Sequence, residues 1–121
     1  MNFMAEAKAY EGEMRAFFED LHRHPEPSHF EKRTNARIRE QLAAHGIEML
    51  CPADNITIAV IHGARPGKTI GMRFDTDALQ MQELCDVPYK SEQDGLMHGC
   101  GHDAHTTCGV FVSRLLQAHR E

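Results

Sequence analysis

Residues 97–106, Met-His-Gly-Cys-Gly-His-Asp-Ala-His-Thr, constrain this chain more than any other stretch. His98, Cys100, His102 and His105 crowd together, with Asp103 among them and glycines at 99 and 101. Thiolate and imidazole donors at that density suit a transition metal of the zinc type. The glycines let the backbone take unusual φ/ψ and come close to a neighbour. Immediately afterwards Cys108, Phe111, Val112, Leu115, Leu116 and His119 recur at helical spacing, which predicts a helix from about Ala104 to His119. The stretch therefore predicts a tight loop feeding a helix N-terminus, where free N–H groups and the helix dipole favour a thiolate or carboxylate.

Upstream, the period of the apolar residues changes once. Tyr10, Met14, Phe17, Phe18 and Leu21 form a stripe that predicts a helix from residue 3 to about 22. His24-Pro25 ends it, because the residue before proline avoids the α region. Ser28-x-x-Glu31 has the form of a capping box, and Phe30, Thr34, Ile38 and Leu42 then predict a second helix, stopped at Gly46. From Ile56 to Ile61 the pattern becomes that of a strand, apolar on both faces. Gly63 to Gly67 predicts a turn and Thr69 to Phe74 a second strand, the two strands pairing as a hairpin. Residues 80–97, with Pro88, Asp94 and Gly95, read as a connecting loop or a short extension. The order α-α-β-β-α, with strands to be covered on both faces, predicts a layered α/β domain.

At 121 residues this is one ordinary domain at most. A net charge of −5 without any basic cluster argues against nucleic acid. No apolar run approaches the roughly 20 residues of a membrane span, and the acidic start lacks a signal-peptide core. Four cysteines without paired spacing predict reduced thiols and a cytoplasmic location.

Each candidate site residue has a competing role. Cys100 and His102 alternate, so extended backbone would aim both at one ion; the rival is a structural loop around a buried cysteine. His105 falls on the stripe of Cys108 and Phe111, which suits a core histidine better than a ligand. His98 suits a place behind the ligands, and Asp103 an N-cap. Asp75 and Asp77, at the end of the second predicted strand, could bind metal or orient a ligand histidine. They could equally be turn formers. His22 and His24 suit helix-end packing, and Cys108 suits the core.

Four segments together carry a resemblance. They are Leu21-His-Arg-His-Pro-Glu26, Gly67-Lys-Thr-Ile-Gly-Met-Arg-Phe-Asp-Thr-Asp-Ala-Leu79, Val87-Pro-Tyr-Lys-Ser91 and Met97 to Thr106. In this order they resemble the N-terminal portion of the aminoacylase–carboxypeptidase family of dinuclear metallopeptidases. The nearest branch is the amidohydrolases acting on hippurate, N-acyl-amino acids and indole-acetyl-amino acids. The resemblance implies that Cys100 and His102 are metal ligands and that Asp77 helps orient the site. Asp75 occupies the place where other branches have a ligand histidine, and the residues themselves make Asp75, His98, Asp103 and His105 candidates for places behind the ligands. It implies two divalent ions (zinc, manganese, cobalt or nickel) and a small N-acyl-amino-acid or peptide substrate. Gln80, Pro27 and Phe74 depart from the family pattern, where proline, leucine and alanine are usual.

Family members are several times longer, and their general-base glutamate lies in a Glu-Glu pair, which this sequence lacks. The resemblance thus implies that residues 1–121 are the first part of a catalytic domain, truncated before its sheet is complete. Such a piece would lack the lid or dimerisation domain, would form homo-oligomers only when whole, and would be inactive alone. The rival reading is a small non-catalytic metal-binding module, which would need four protein ligands around one zinc.

Overall fold

The structure, a computed structural model, describes residues 2–121. Helix α1 (Phe3–Ala9) stops at Tyr10, and α2 (Glu11–Arg23) begins at once. The single helix predicted there is thus two. α2 buries Phe17, Leu21 and His22. α3 (Lys32–Ala44) buries Thr34, Asn35, Ile38 and Leu42 along one face, while Phe30, assigned by spacing to that stripe, is exposed.

The capping box does not form at the start of α3. Glu31 makes no side-chain cap, and Glu26 supplies the carboxylate instead, accepting from Arg33 N (2.9 Å) and Thr34 N (2.5 Å). A charged acceptor at a helix N-terminus also complements the dipole. At the other end Ile47 N donates to Leu42 O (3.0 Å) and Gly46 N to Ala43 O (3.1 Å). With Gly46 at φ 64°, this is the 6→1, 5→2 ending that glycine favours.

The hairpin lies elsewhere than predicted. β1 (Glu48–Ala53) pairs antiparallel with β2 (Ile56–Val60), joined by Asp54-Asn55, with Met49 opposite Ala59 and Leu50 opposite Ile58. The pairing is irregular between Leu50 and Ala53, where Pro52 lacks a donor. The predicted second strand, 69–74, belongs to no sheet; Ile70 and Met72 are largely exposed. The element order is therefore α-α-α-β-β-α. The class stands: a partial α/β domain in which helices cover one face of a two-stranded sheet.

That covered face is partly polar. Thr57 donates to Asn35 Oδ1 (2.8 Å) and accepts from Arg39 Nε (2.9 Å), so α3 grips β2 by hydrogen bonds. Ile56 and Ile58 lie on the other, open face. Phe17, Leu21, Ile38, Leu42, Ile47, Val110 and Phe111 make the core, with α4 (His102–Ala118) packed across α2 and α3.

α4 does not bury the face predicted for it. Asp103, Thr106, Thr107, Gly109, Val110, Phe111 and Arg114 are inside, whereas Cys108 and Leu116 are exposed. The stripe is rotated because its polar members have partners. Thr107 Oγ1 bonds Asp103 O (2.8 Å), and Arg114 pairs with Glu13 (2.8 Å) while its guanidinium lies over Tyr10 and Phe111.

Candidate metal site

Residues 62–101 contain no named helix or strand, yet two backbone contacts fix the part that matters. Ala78 N bonds Glu26 O (2.8 Å), and Leu79 exchanges two bonds with Met97 (2.9 and 3.0 Å). These set Asp77 beside the start of α4. The second anchor is Phe74, whose ring packs on the bare helix surface at Gly109; a Cβ there would come within 2.7 Å of it. The phenylalanine that departs from the family pattern is thus matched by a glycine on α4.

Gly101 caps α4 in the left-handed region (φ 78°), which a glycine adopts without strain. His102 is then the first helical residue. Its Nδ1–H donates to Asp77 Oδ1 and to Asp77 O, both at 2.9 Å. Among the described residues Nε2 has no hydrogen-bond partner, and Asp75 Oδ2 is 4.0 Å away. A carboxylate on one imidazole nitrogen fixes the tautomer and ring orientation and raises the basicity of the other, which is the arrangement that supports a metal-ligating histidine.

Asp75 is held from three sides. Arg73 pairs with its carboxylate, Thr106 Oγ1 donates to its carbonyl (2.7 Å), and its N–H donates to His105 Nδ1 (3.3 Å). His105 also lies 3.5 Å from Asp75 Oδ2 and edge-on to Phe74. Its side chain is 42% exposed, so it is no core histidine but part of the rim around Asp75.

Three expectations about the loop need correction. Cys100 sits in a turn and His102 in a helix, so extended-strand alternation does not relate them. Cys100 is exposed, against the rival of a buried structural cysteine. Asp103 is not the N-cap. It lies inside the first turn, 2% exposed, and its Oδ2 is 2.6 Å from His22 Nδ1. His98 is buried behind the loop, and among the described residues neither ring nitrogen has a partner. Burial holds its imidazole below the usual pKa, with Asp103 and Asp77 pulling against that and the charges of His22 and His102 adding to it.

Comparison with known proteins follows the same residues. Residues 71–121, from the exposed segment through the loop to the end of α4, match the model of peptidase family M20/M25/M40. The backbone superposes on a Bacillus subtilis dinuclear metal-binding peptidase of the M20 family with a TM-score of 0.89, at 40% identity over 93% of this chain. Over most of its length the chain is similar to a peptidase of the M20 family. A putative aminohydrolase from methicillin-resistant Staphylococcus aureus gives a TM-score of 0.91 at 32% identity over 98% of this chain. In sequence, 103 residues are 43% identical to the N-acetylcysteine deacetylase of Bacillus subtilis strain 168, covering 84% of this chain. The chain spans 27% of that deacetylase and 32% of each of the two solved structures.

His22 and Glu83 are two residues near the candidate site that the sequence alone does not reveal. His22 was assigned to helix-end packing, and nothing in the local pattern marks Glu83. Both are buried: His22 lies against Asp103, the neighbour of His102 in the chain, and Glu83 lies against the other side of His22. The remaining helix-end histidine, His24, does pack locally, with Nδ1 2.8 Å from Asp20 O. No helix among the described residues is long and apolar enough to cross a membrane.

Proposed function

We propose that this chain is the metal-loop segment of a metal-dependent amidohydrolase that, when whole, cleaves the amide bond of N-acyl-amino acids. Cys100 and His102 are the ligands, Asp77 orients His102, and Asp75 with His105 forms the adjoining rim. The observation that carries the reading is the 2.9 Å bond from His102 Nδ1 to Asp77, with Nε2 bare. An exposed thiol, an imidazole with one nitrogen bare and nearby carboxylates suit divalent zinc, manganese, cobalt or nickel. The names of the relatives, a deacetylase and a dinuclear metal-binding peptidase, support both the chemistry and two ions in the whole enzyme. A divalent ion held there would polarise the scissile carbonyl and lower the pKa of water.

The closed-module reading has less support. It needs four protein ligands on one zinc, and among the described residues no three His, Cys, Asp or Glu side chains gather to hold an ion. The two donors assigned, Cys100 and His102, also fall short of the three protein ligands usual at an open catalytic zinc. A Glu-Glu pair is absent as well. The 121-residue chain alone is therefore proposed to bind metal weakly and to hydrolyse nothing.

Cobalt(II) titration tests the site, because thiolate coordination adds a near-ultraviolet charge-transfer band. The band should appear with the chain, vanish in Cys100→Ala and weaken in His102→Ala. An identical spectrum in Cys100→Ala would overturn the ligand assignment. Hippurate and other N-acyl-amino acids with saturating zinc, manganese or cobalt should give no turnover. Metal-dependent hydrolysis lost in Cys100→Ala would overturn the claim of inactivity.

A further inference from the structure

His22 lies in the last turn of α2, and both of its ring nitrogens face carboxylates. Nδ1 is 2.6 Å from Asp103 Oδ2 and Nε2 is 2.7 Å from Glu83 Oε1. Ionised carboxylates only accept, and a neutral imidazole donates from one nitrogen alone. Two such contacts therefore require both nitrogens to carry protons, making His22 an imidazolium between two anions. The end of α2 favours a cation there. The imidazole is 9% exposed and each carboxylate 2%. Tyr89 stands edge-on to the imidazole, with ring centres 5.3 Å apart, and Phe18 lies 5.9 Å away, so water is kept off. Glu83 Oε2 accepts from Ser91 N (2.5 Å), tying the 80–97 loop into the same knot.

We infer that His22 is a positioning residue: its imidazolium, clamped between Asp103 and Glu83, fixes the first turn of α4 and thereby the aim of His102. The inference rests on the metal-site reading for its purpose, though not for its geometry. The first turn of α4 has no side-chain cap, since Gly101 offers none. Something else must hold it. Asp103 is the second residue of the helix and is joined to His102 by one peptide bond. Its Oδ1 accepts from Ala104 N (2.8 Å), and its carbonyl accepts from Thr107 Oγ1. A shift of Asp103 is thus carried directly into the ring that meets Asp77. Charge-assisted bonds in a dry setting are the stronger kind and direct geometry well. Releasing one end leaves a buried anion without its partner.

The test compares the wild-type chain with His22→Gln, which is uncharged and carries its N–H donors on a single nitrogen, and Glu83→Gln, which frees only the outer end. Leu42→Ala, in the core and away from the clamp, controls for general loss of stability. Nitrogen-15 histidine spectra without metal should show His22 doubly protonated and His102 protonated at Nδ1 in the wild type. In His22→Gln, His102 should become a mixture of tautomers, and amides 103–107 should lose about tenfold or more of their exchange protection. Amides of α3 should keep theirs, and Glu83→Gln should fall between. Cobalt(II) affinity should drop roughly 10–100-fold in His22→Gln, as for other groups that support a ligand, and not in Leu42→Ala while that variant stays folded. Should His22→Gln not fold, the smaller change in Glu83→Gln decides by the same readouts. An unaltered His102 tautomer and unaltered protection in a folded clamp variant would overturn the inference. If the wild type binds no cobalt through Cys100, the functional reading fails, and the spectra without metal still decide the clamp.

Discussion

His22 and His102 both sit against aspartate, and the contrast between their surroundings separates support from chemistry. Around His22, in the last turn of α2, both nitrogens are occupied, and the partners are almost wholly buried. Around His102, at the rim, one nitrogen is held by Asp77 and the other is bare, with the side chain 20% exposed. A histidine with both nitrogens committed cannot ligate. One with a single oriented nitrogen is prepared to. On the proposed reading, the same residue pair, histidine and aspartate, is used once to lock a helix and once to present a donor.

The comparison can be broken most forcefully at its buried end. Asp103→Ala leaves the His22 cation with one partner fewer in a dry setting, and removal of one member of such a pair costs about 3–5 kcal/mol. Urea unfolding should show a loss of that order; a loss below about 1 kcal/mol, typical of exposed ion pairs, would erase the distinction between the regions. At the rim the effects should reverse. Asp77→Asn should leave stability within about 1 kcal/mol, because the pair is partly solvated, while cobalt(II) affinity falls roughly 10–100-fold. Unchanged affinity in that variant would make Asp77 a turn former after all.

The smallest effect concerns pH and belongs to the clamp alone. For both His22 and Glu83 burial is the largest single influence and opposes the charge, but it is outweighed by the opposing contacts taken together: their mutual hydrogen bond and attraction, with Asp103 adding on the histidine side and Ser91 N and Lys90 on the glutamate side. The result is a His22 pKa raised from 6.5 and a Glu83 pKa lowered from 4.5. A raised histidine stabilises fully below 6.5 and loses its contribution as pH climbs through the raised value. A lowered glutamate stabilises fully above 4.5 and loses its contribution as pH falls through the lowered value. The stability difference between wild type and His22→Gln should therefore peak between 4.5 and 6.5 and shrink on both sides. Unfolding curves across that window check it; a difference independent of pH would mean that the clamp is not ionic.

Periodicity made the helices legible, because Phe17, Leu21, Ile38 and Leu42 are apolar where the core needs them. It failed at α4 because Asp103, Thr106 and Arg114 are buried by partners far away in the chain, which no local pattern displays. It failed again at 69–74, where Ile70 and Met72 have the alternation of a strand but no ladder to join. β1 was hidden by Cys51-Pro52, which break the alternation. At the site, the donors and Asp77 could be named from residue type and resemblance. The knot beneath them could not, since Glu83 lies 61 positions from His22 and acquires its role only in the folded chain.

Glu26 has a consequence for how this segment can vary. Its carboxylate holds the start of α3 at Arg33 and Thr34 while its carbonyl holds Ala78, next to Asp77. One residue thus keeps the spacing between a helix and a site. A residue inserted or lost between Glu26 and Lys32 would leave the carboxylate out of register with the helix or drag the carbonyl off Ala78. Variation in length should then be tolerated in the 62–73 segment, which leaves Ile70 and Met72 in solvent, and refused in the short bend after Pro25.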